Sequence, residues 1–197
     1  MSRLLLFLLA LPLAAQQTLT LAGPATARPG QAITVSVAYS GATASGLQWD
    51  LVLPVGLSGT ATAGACATAA NKQLVCHQAR CIAYGMNQTA MTAGDVASYT
   101  LTVATVASGT LRLNLSTVLG ATGSGSAISG LTAGPELAIV VLRREDIDGN
   151  GAVTATDASL AADQAIGKAA CGSGDVNGDA KCDLIDVLLV VLAALGV

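Results

Sequence analysis

The sequence predicts a mainly β chain: an antiparallel β-sandwich over residues 17–142, followed by a small helical unit over residues 146–197. Three observations carry this reading. Apolar side chains alternate at period two between Gln17 and Leu142. Nine acidic residues lie from Glu145 onward, whereas only Asp50, Asp95 and Glu136 precede them. Within the acidic segment, oxygen-bearing side chains recur at alternate positions in two stretches, DIDGNGAVTATD (Asp146 to Asp157) and DVNGDAKCDLID (Asp175 to Asp186).

Ahead of the sandwich, MSRLLLFLLALPLAAQQ places Arg3 before an apolar run from Leu4 to Leu13, then Ala14 and Ala15. This is the layout of a secretory signal peptide, residues 1–15, with cleavage expected near Ala15. The run is about half the ~20 residues that a bilayer span needs, so no membrane span is expected. The product is expected to be secreted and extracellular. A net charge of -3 with no basic stripe leaves nothing to neutralise phosphates, which excludes nucleic acid as a partner.

The strands follow from the alternation. AITVSVAY puts Ile33, Val35, Val37 and Tyr39 on one face, and GLQWDLVL does so with Leu47, Trp49, Leu51 and Leu53. ASYTLTVATV alternates Tyr99, Leu101 and Val103 with Thr; TLRLNLS alternates Leu111, Leu113 and Leu115 with Arg112, Asn114 and Ser116. Each reads as a half-buried strand. Gly- and Pro-containing breaks (ARPG, LPVGLSG, ATGSGSAISG) separate them, and about seven to nine short antiparallel strands of this kind make a two-sheet sandwich.

Export permits disulfides. Cys171 and Cys182 are the candidates in the small unit and are expected to pair. Cys66, Cys76 and Cys81 leave one pair and one thiol. If CHQARC is a hairpin turning at Gln78-Ala79, Cys76 and Cys81 face each other across the strands; Cys66 with either of them stays open.

Catalysis finds little to work with in the sandwich. Glycoside hydrolysis uses two carboxylates across the scissile bond, and Asp50, Asp95 and Glu136 stand singly. His77 is the one histidine, with no Gly-x-Ser-x-Gly elbow beside it, and reads as a solvated side chain. No catalytic residue is assigned. NQT at Asn87 and NLS at Asn114 fit the glycosylation tripeptide, a match common by chance in a Thr-rich chain. Sugar-binding sandwiches expose flat aromatic rings; here Tyr39, Trp49 and Tyr99 run in phase with aliphatic residues and read as core, leaving Tyr84.

The acidic stretches read position by position as EF-hand-type calcium loops. Asp146, Asp148 and Asn150 occupy positions one, three and five, Gly151 six and Asp157 twelve, while the carbonyl of Ala152 at seven points inward. Thr154 at nine acts directly or through a water, and Val153 at eight is expected to pack inward against the second loop. The second copy begins 29 positions later, with Asp175, Asn177, Asp179, the carbonyl of Lys181, Asp183 and Asp186 at the same six positions. Ala180 replaces the glycine at six, where a β carbon at positive φ costs about 1 kcal/mol. The second site is therefore expected to be the weaker, with the added acid Asp183 as partial offset. Two Ca2+ ions are expected rather than Mg2+, because the ligands are all oxygen and mostly protein-derived. Folding of this unit is expected to need them, since each loop gathers carboxylates that repel one another. Each loop leads into a helix, ASLAADQAIGK from Ala158 to Gly167 and LIDVLLVVLAALGV from Leu184 to Gly196. The second is too short for a bilayer and either packs on the first or offers a face to a partner.

Paired loops that end in Asp rather than Glu, each followed but not preceded by a helix, resemble the dockerin module, which Asp146 to Val197 covers whole. ARPGQAITVSVAY, SGLQWDLVLP and MTAGDVASYTLTV resemble strands of the cohesin domain, the jelly-roll sandwich to which dockerins bind. The resemblance implies an extracellular, non-catalytic assembly protein whose partners are cohesin- or dockerin-bearing proteins, serving polysaccharide catabolism beside polysaccharide-degrading enzymes. It also implies that loop positions ten and eleven, Ala155-Thr156 and Leu184-Ile185, select the partner; unequal pairs imply one preferred orientation. The alternative is a carbohydrate-binding or glycoside hydrolase-associated sandwich that its dockerin delivers. Whether the two modules bind each other stays open.

Overall fold

Alternation of small polar and aliphatic residues decides the first element, and the rest follow its logic. A computed structural model describes Gln16–Val197; residues 1–15, expected to be a signal peptide, lie outside the described residues. In chain order the strands are β1 (Thr18–Ala22), β2 (Thr26–Ala27), β3 (Ala32–Tyr39), β4 (Gly46–Leu51) and β5 (Leu57–Ala63). A one-turn helix α1 (Ala65–Ala69) precedes β6 (Gln73–His77), β7 (Arg80–Tyr84), β8 (Gly94–Val103), β9 (Gly109–Leu113), β10 (Leu115–Ala121), β11 (Thr132–Ala133) and β12 (Leu137–Val141). Two helices, α2 (Ala155–Ala165) and α3 (Leu184–Leu195), complete the chain.

The strands form a mainly β sandwich around one core. One sheet runs β11-β1-β3-β8-β5 and the opposing one β10-β4-β7-β6. The residues expected to face inward do so: Ile33, Val35, Val37 and Tyr39 of β3, Leu47, Trp49 and Leu51 of β4, and Tyr99, Leu101 and Val103 of β8 are all buried. At the centre the Trp49 indole N–H donates to the Tyr99 hydroxyl at 3.0 Å. That hydroxyl lies 3.0 Å from Cys81 Sγ, and because the sulfur is disulfide-bonded and carries no hydrogen, the tyrosine donates. Burial of Tyr39, Trp49 and Tyr99 removes three of the four aromatic side chains among the described residues from any sugar-stacking role.

Three departures from the expected pattern have local causes. The run TLRLNLS is two strands, not one: β9 pairs with β12, and after Asn114 the chain crosses to pair β10 with β4. Leu111, Leu113 and Leu115 all stay buried through the crossing, so the alternation survives while the hydrogen-bond partners change. A third small sheet, β2-β12-β9, results. Pairing is not wholly antiparallel either, since β1 with β11 and β12 with β2 run parallel. Finally, α2 begins at Ala155 rather than Ala158, because Thr154 caps it: the Thr154 hydroxyl accepts from Thr156 N–H and Asp157 accepts from Thr154 N–H.

Cys171 and Cys182 pair as expected, and of the pairings left open among Cys66, Cys76 and Cys81 the one formed is Cys76–Cys81. The CHQARC hairpin turns at Gln78-Ala79 with Cys76 and Cys81 opposite each other and bonded, their Cα atoms 4.1 Å apart. Cys171 and Cys182 are bonded with their Cα atoms 5.6 Å apart. Cys66, the one left over, sits buried on α1, where burial and the charge of Asp95 raise its thiol pKa.

Candidate metal loops and interaction faces

Both acidic stretches fold into the same loop, each built from backbone N–H groups that close onto the first and last carboxylate. Asp146 Oδ1 accepts from Gly149 and Asn150 N–H at 2.9 and 3.1 Å, and its Oδ2 from Gly151 N–H at 2.9 Å. Asp175 repeats this with Gly178, Asp179 and Ala180 at 2.8, 3.1 and 2.8 Å. Asp157, at position twelve, accepts from Ile147, Asp148 and Thr154 N–H; Asp186 accepts from Val176, Asn177 and Asp183 N–H. At position five, Asn150 and Asp179 each accept from the N–H of position seven, Ala152 and Lys181.

Asp146, Asp157 and Asp186 are essentially inaccessible to solvent. Burial alone would raise the Asp157 carboxyl, but the hydrogen bonds from Thr154, Asp148 and Ile147 outweigh it and hold the group below the usual carboxylate range. In the first loop, carboxylate oxygens of Asp146, Asp148 and Asp157 lie within 4.8 Å of one another, the one such group of three among the described residues. In the second, Asn177 stands where the first has Asp148. Asp183 is turned to the start of α3, where its carboxylate accepts from Ile185 N–H at 2.8 Å as a helix cap.

Two backbone positions explain the turn. Position four is glycine in both copies, Gly149 and Gly178, with φ of 76° and 81°. Position six is Gly151 at φ 93° in the first loop and Ala180 at φ 67° in the second, so the alanine does take the left-handed conformation. Sequence reasoning passed over the position-four glycines, although their recurrence was visible. It also missed position two: Ile147 and Val176 are buried with Ala161 and Val190 in a small second core, which Val153 and Val187 flank.

The segment is joined to the sandwich by two arginines. Arg28, before β3, donates to the carbonyls of Ile147 and Arg143, and Arg144 donates to the carbonyl of Thr105. Nothing in the spacing of Arg28 signals this role.

Among the exposed apolar residues, two groups each share one face. On α3 these are Leu184, Ile185, Leu188, Leu189, Leu192 and Leu195, with Leu184 78% exposed. By contrast Ala155 and Thr156, at the same positions of α2, are small and exposed. The second surface is the outer face of β10-β4-β7-β6, where Leu119, Gln48, Ile82 and Val75 form one row across four strands. The next row holds Ser116, Asp50, Arg80 and His77. Arg80 grips Asp50 with two bonds of 2.8 Å and holds its carboxyl at about 2. A shallow groove of about 470 Å³ runs along Val75, His77, Arg80 and Ile82. No helix of the described residues is long and apolar enough to cross a membrane.

The sandwich is similar to solved cohesin modules. A type II cohesin domain from the cellulosome of Acetivibrio cellulolyticus matches at TM-score 0.54 and 16% identity, over 63% of this chain and 95% of that one. A non-cellulosomal cohesin from the archaeon Archaeoglobus fulgidus matches at 0.51 and 16%, over 64% and 92%. The cohesin module of a Clostridium perfringens family 33 glycoside hydrolase matches at 0.51 and 13%, over 64% and 97%. These place the sandwich in the cohesin-like fold. No protein-family model and no curated protein sequence matches the chain.

Proposed function

We propose that the chain is a secreted, non-catalytic assembly protein: a cohesin-like sandwich joined to a calcium-dependent dockerin module. The observation that carries this reading is the duplicated loop, with one hydrogen-bond scheme in both copies and each loop running directly into a capped helix. The donors fit the ion. Asp146, Asp148, Asn150, Asp157 and the Ala152 carbonyl, with Thr154, would hold one Ca2+; Asp175, Asn177, Asp179, Asp186 and the Lys181 carbonyl would hold the other, and all offer oxygen, as Ca2+ prefers. Asp183, already used as a cap, would contribute to the second only through its free oxygen or a water.

Bound calcium would neutralise the carboxylates and fix the loops, which set the angle at which α2 and α3 leave them. The exposed pair Leu184-Ile185 then supplies the apolar contact to a cohesin-bearing partner, and the outer face of β10-β4-β7-β6 supplies the receiving surface for a dockerin-bearing one. The glycan-delivery alternative is the less supported, because Tyr39, Trp49 and Tyr99 are spent on the core. Service to polysaccharide-degrading enzymes remains part of the proposal.

The test is calorimetric titration of the chain with calcium, followed by capture of cohesin and dockerin modules on the immobilised chain with and without chelator, beside a polysaccharide panel. Two calcium ions per chain and chelator-sensitive capture are expected. Absence of calcium binding, or retention by polysaccharide and not by protein modules, overturns the reading.

A further inference from the structure

We propose that the cleft between the turn before β3 and the second acidic loop is an oxyanion site, with the Arg28 and Arg144 guanidiniums as its anchors. The ligand it takes is an acid group, either a free inorganic oxyanion or the acid of a small hydroxyl-bearing molecule.

Charge pairing singles these two arginines out. Among the described residues, Arg80 is paired with Asp50, Arg112 with Glu136 and Arg143 with Glu145. Arg28 and Arg144 make no salt bridge there, yet both are half-buried. A guanidinium drawn out of water costs free energy unless an opposite charge meets it. Their backbone contacts leave donors to spare. Arg28 gives one N–H to the carbonyl of Ile147 and one to that of Arg143, and Arg144 gives one to the carbonyl of Thr105. A guanidinium offers five N–H donors in a rigid fork, so most remain for a ligand.

Both side chains border one cavity. Its volume is about 530 Å³, within the roughly 300–1,000 Å³ of small-ligand sites, and Pro29, Thr105, Ser173 and Asn177 also line it. Each arginine abuts a different loop at its position-four glycine: a β carbon on Gly149 would lie 3.6 Å from Arg28 Nη2, and one on Gly178 3.5 Å from Arg144 Nη1. The site therefore stands where the sandwich meets both loops. Asp175 is the one carboxylate among the described residues lining the cavity, and its oxygens already accept the N–H groups of Gly178, Asp179 and Ala180. Two positive charges thus face one negative charge that its own loop holds, and an incoming acid is attracted. An oxyanion accepts paired, charge-assisted bonds from such forks, which a neutral ligand cannot. The Thr105 hydroxyl and the second amide N–H of Asn177, whose first goes to Asp179, suit hydroxyl groups carried beside the acid.

The experiment is an NMR titration of the full chain in excess calcium, following the side-chain Nε–H signals of Arg28 and Arg144. Sodium sulfate and sodium galacturonate are the probes at fixed ionic strength, with sodium chloride and neutral galactose as controls. Both signals should shift together and saturate with at least one of the two acids, and the tighter of the two identifies the source of the acid group. Arg144→Gln should weaken binding at least about tenfold, as charge-assisted hydrogen bonds are lost. Arg144→Lys, which keeps the charge and a donor for the Thr105 carbonyl but loses the fork, should weaken it severalfold. Small-angle scattering verifies that Arg144→Gln leaves the helical segment in place; should the segment move, Arg144→Lys decides. Signals that saturate with neither acid, that respond equally to chloride or galactose, or an Arg28 signal that saturates as tightly in the deciding variant would each overturn the proposal.

Discussion

The Arg28 guanidinium donates to the carbonyl of Ile147 at 3.1 Å, tying the turn before β3 to the second residue of the first acidic loop. Ile147 is also a buried member of the small core between α2 and α3, so one residue joins the loop's packing to the sandwich. Arg28→Ala should cost about 1 kcal/mol or less in global stability, the worth of a part-exposed hydrogen bond. Its larger effect should be on the attitude of the helical segment. Small-angle scattering should report a greater maximum dimension, and proteolysis between Leu142 and Asp146 should quicken.

Calcium removal should act on one part of the molecule. With chelator, far-ultraviolet circular dichroism should lose the helical contribution of α2 and α3 while the β signature persists, since the sandwich core owes nothing to the loops. Asp157→Ala should lower the calcium stoichiometry from two to one. Unchanged stoichiometry would remove the first loop from the ligand set.

Ala180→Gly should tighten the second site. The alanine sits at φ 67°, where a β carbon costs roughly 1–2 kcal/mol, and part of the gain is returned as added freedom of the unfolded glycine, about 0.4–1 kcal/mol. A net gain of about 0.5–1 kcal/mol corresponds to a two- to fivefold stronger second calcium affinity. Titration calorimetry resolves the two sites and checks it.

The pair Asp50–Arg80 predicts a pH response. Its folded carboxyl, at about 2, lies below the ordinary value of 3.8, so the stability it adds is full above that ordinary value and fades as pH falls through about 2. Arg80→Ala should return the Asp50 titration, followed by carboxyl carbon NMR, to the ordinary range.

Leu184-Ile185 replaced by Ala-Thr, the pair present at Ala155-Thr156, should leave thermal stability nearly unchanged because both side chains are exposed. Affinity for a cohesin-bearing partner should fall at least tenfold, as apolar anchors are lost. Equal affinity of the swapped chain would remove these positions from recognition.

The sandwich was legible because burial on one face writes a period of two into the sequence, and Ile33 to Tyr39 or Trp49 to Leu51 carry it without ambiguity. What alternation does not encode is the neighbour. Leu113 and Leu115 face the same core from two different sheets, and no pattern marks the crossing at Asn114. The acidic loops were legible in finer detail, since each position has its own chemical requirement. Their attachment was not, because Arg28 meets backbone carbonyls, which every residue possesses.

The concentration of buried carboxylates in the two loops has a bearing on how the protein behaves in bulk. From Gln16 onward eight basic residues stand against twelve acidic ones, so two divalent ions bring the chain to formal neutrality. Without the ions, mutual repulsion would keep molecules dispersed; with them, a chain poor in charge and rich in exposed leucine approaches its least soluble state. On the proposed reading, export into a calcium-rich medium would thus also be a colloidal transition, with molecules kept apart until calcium binds.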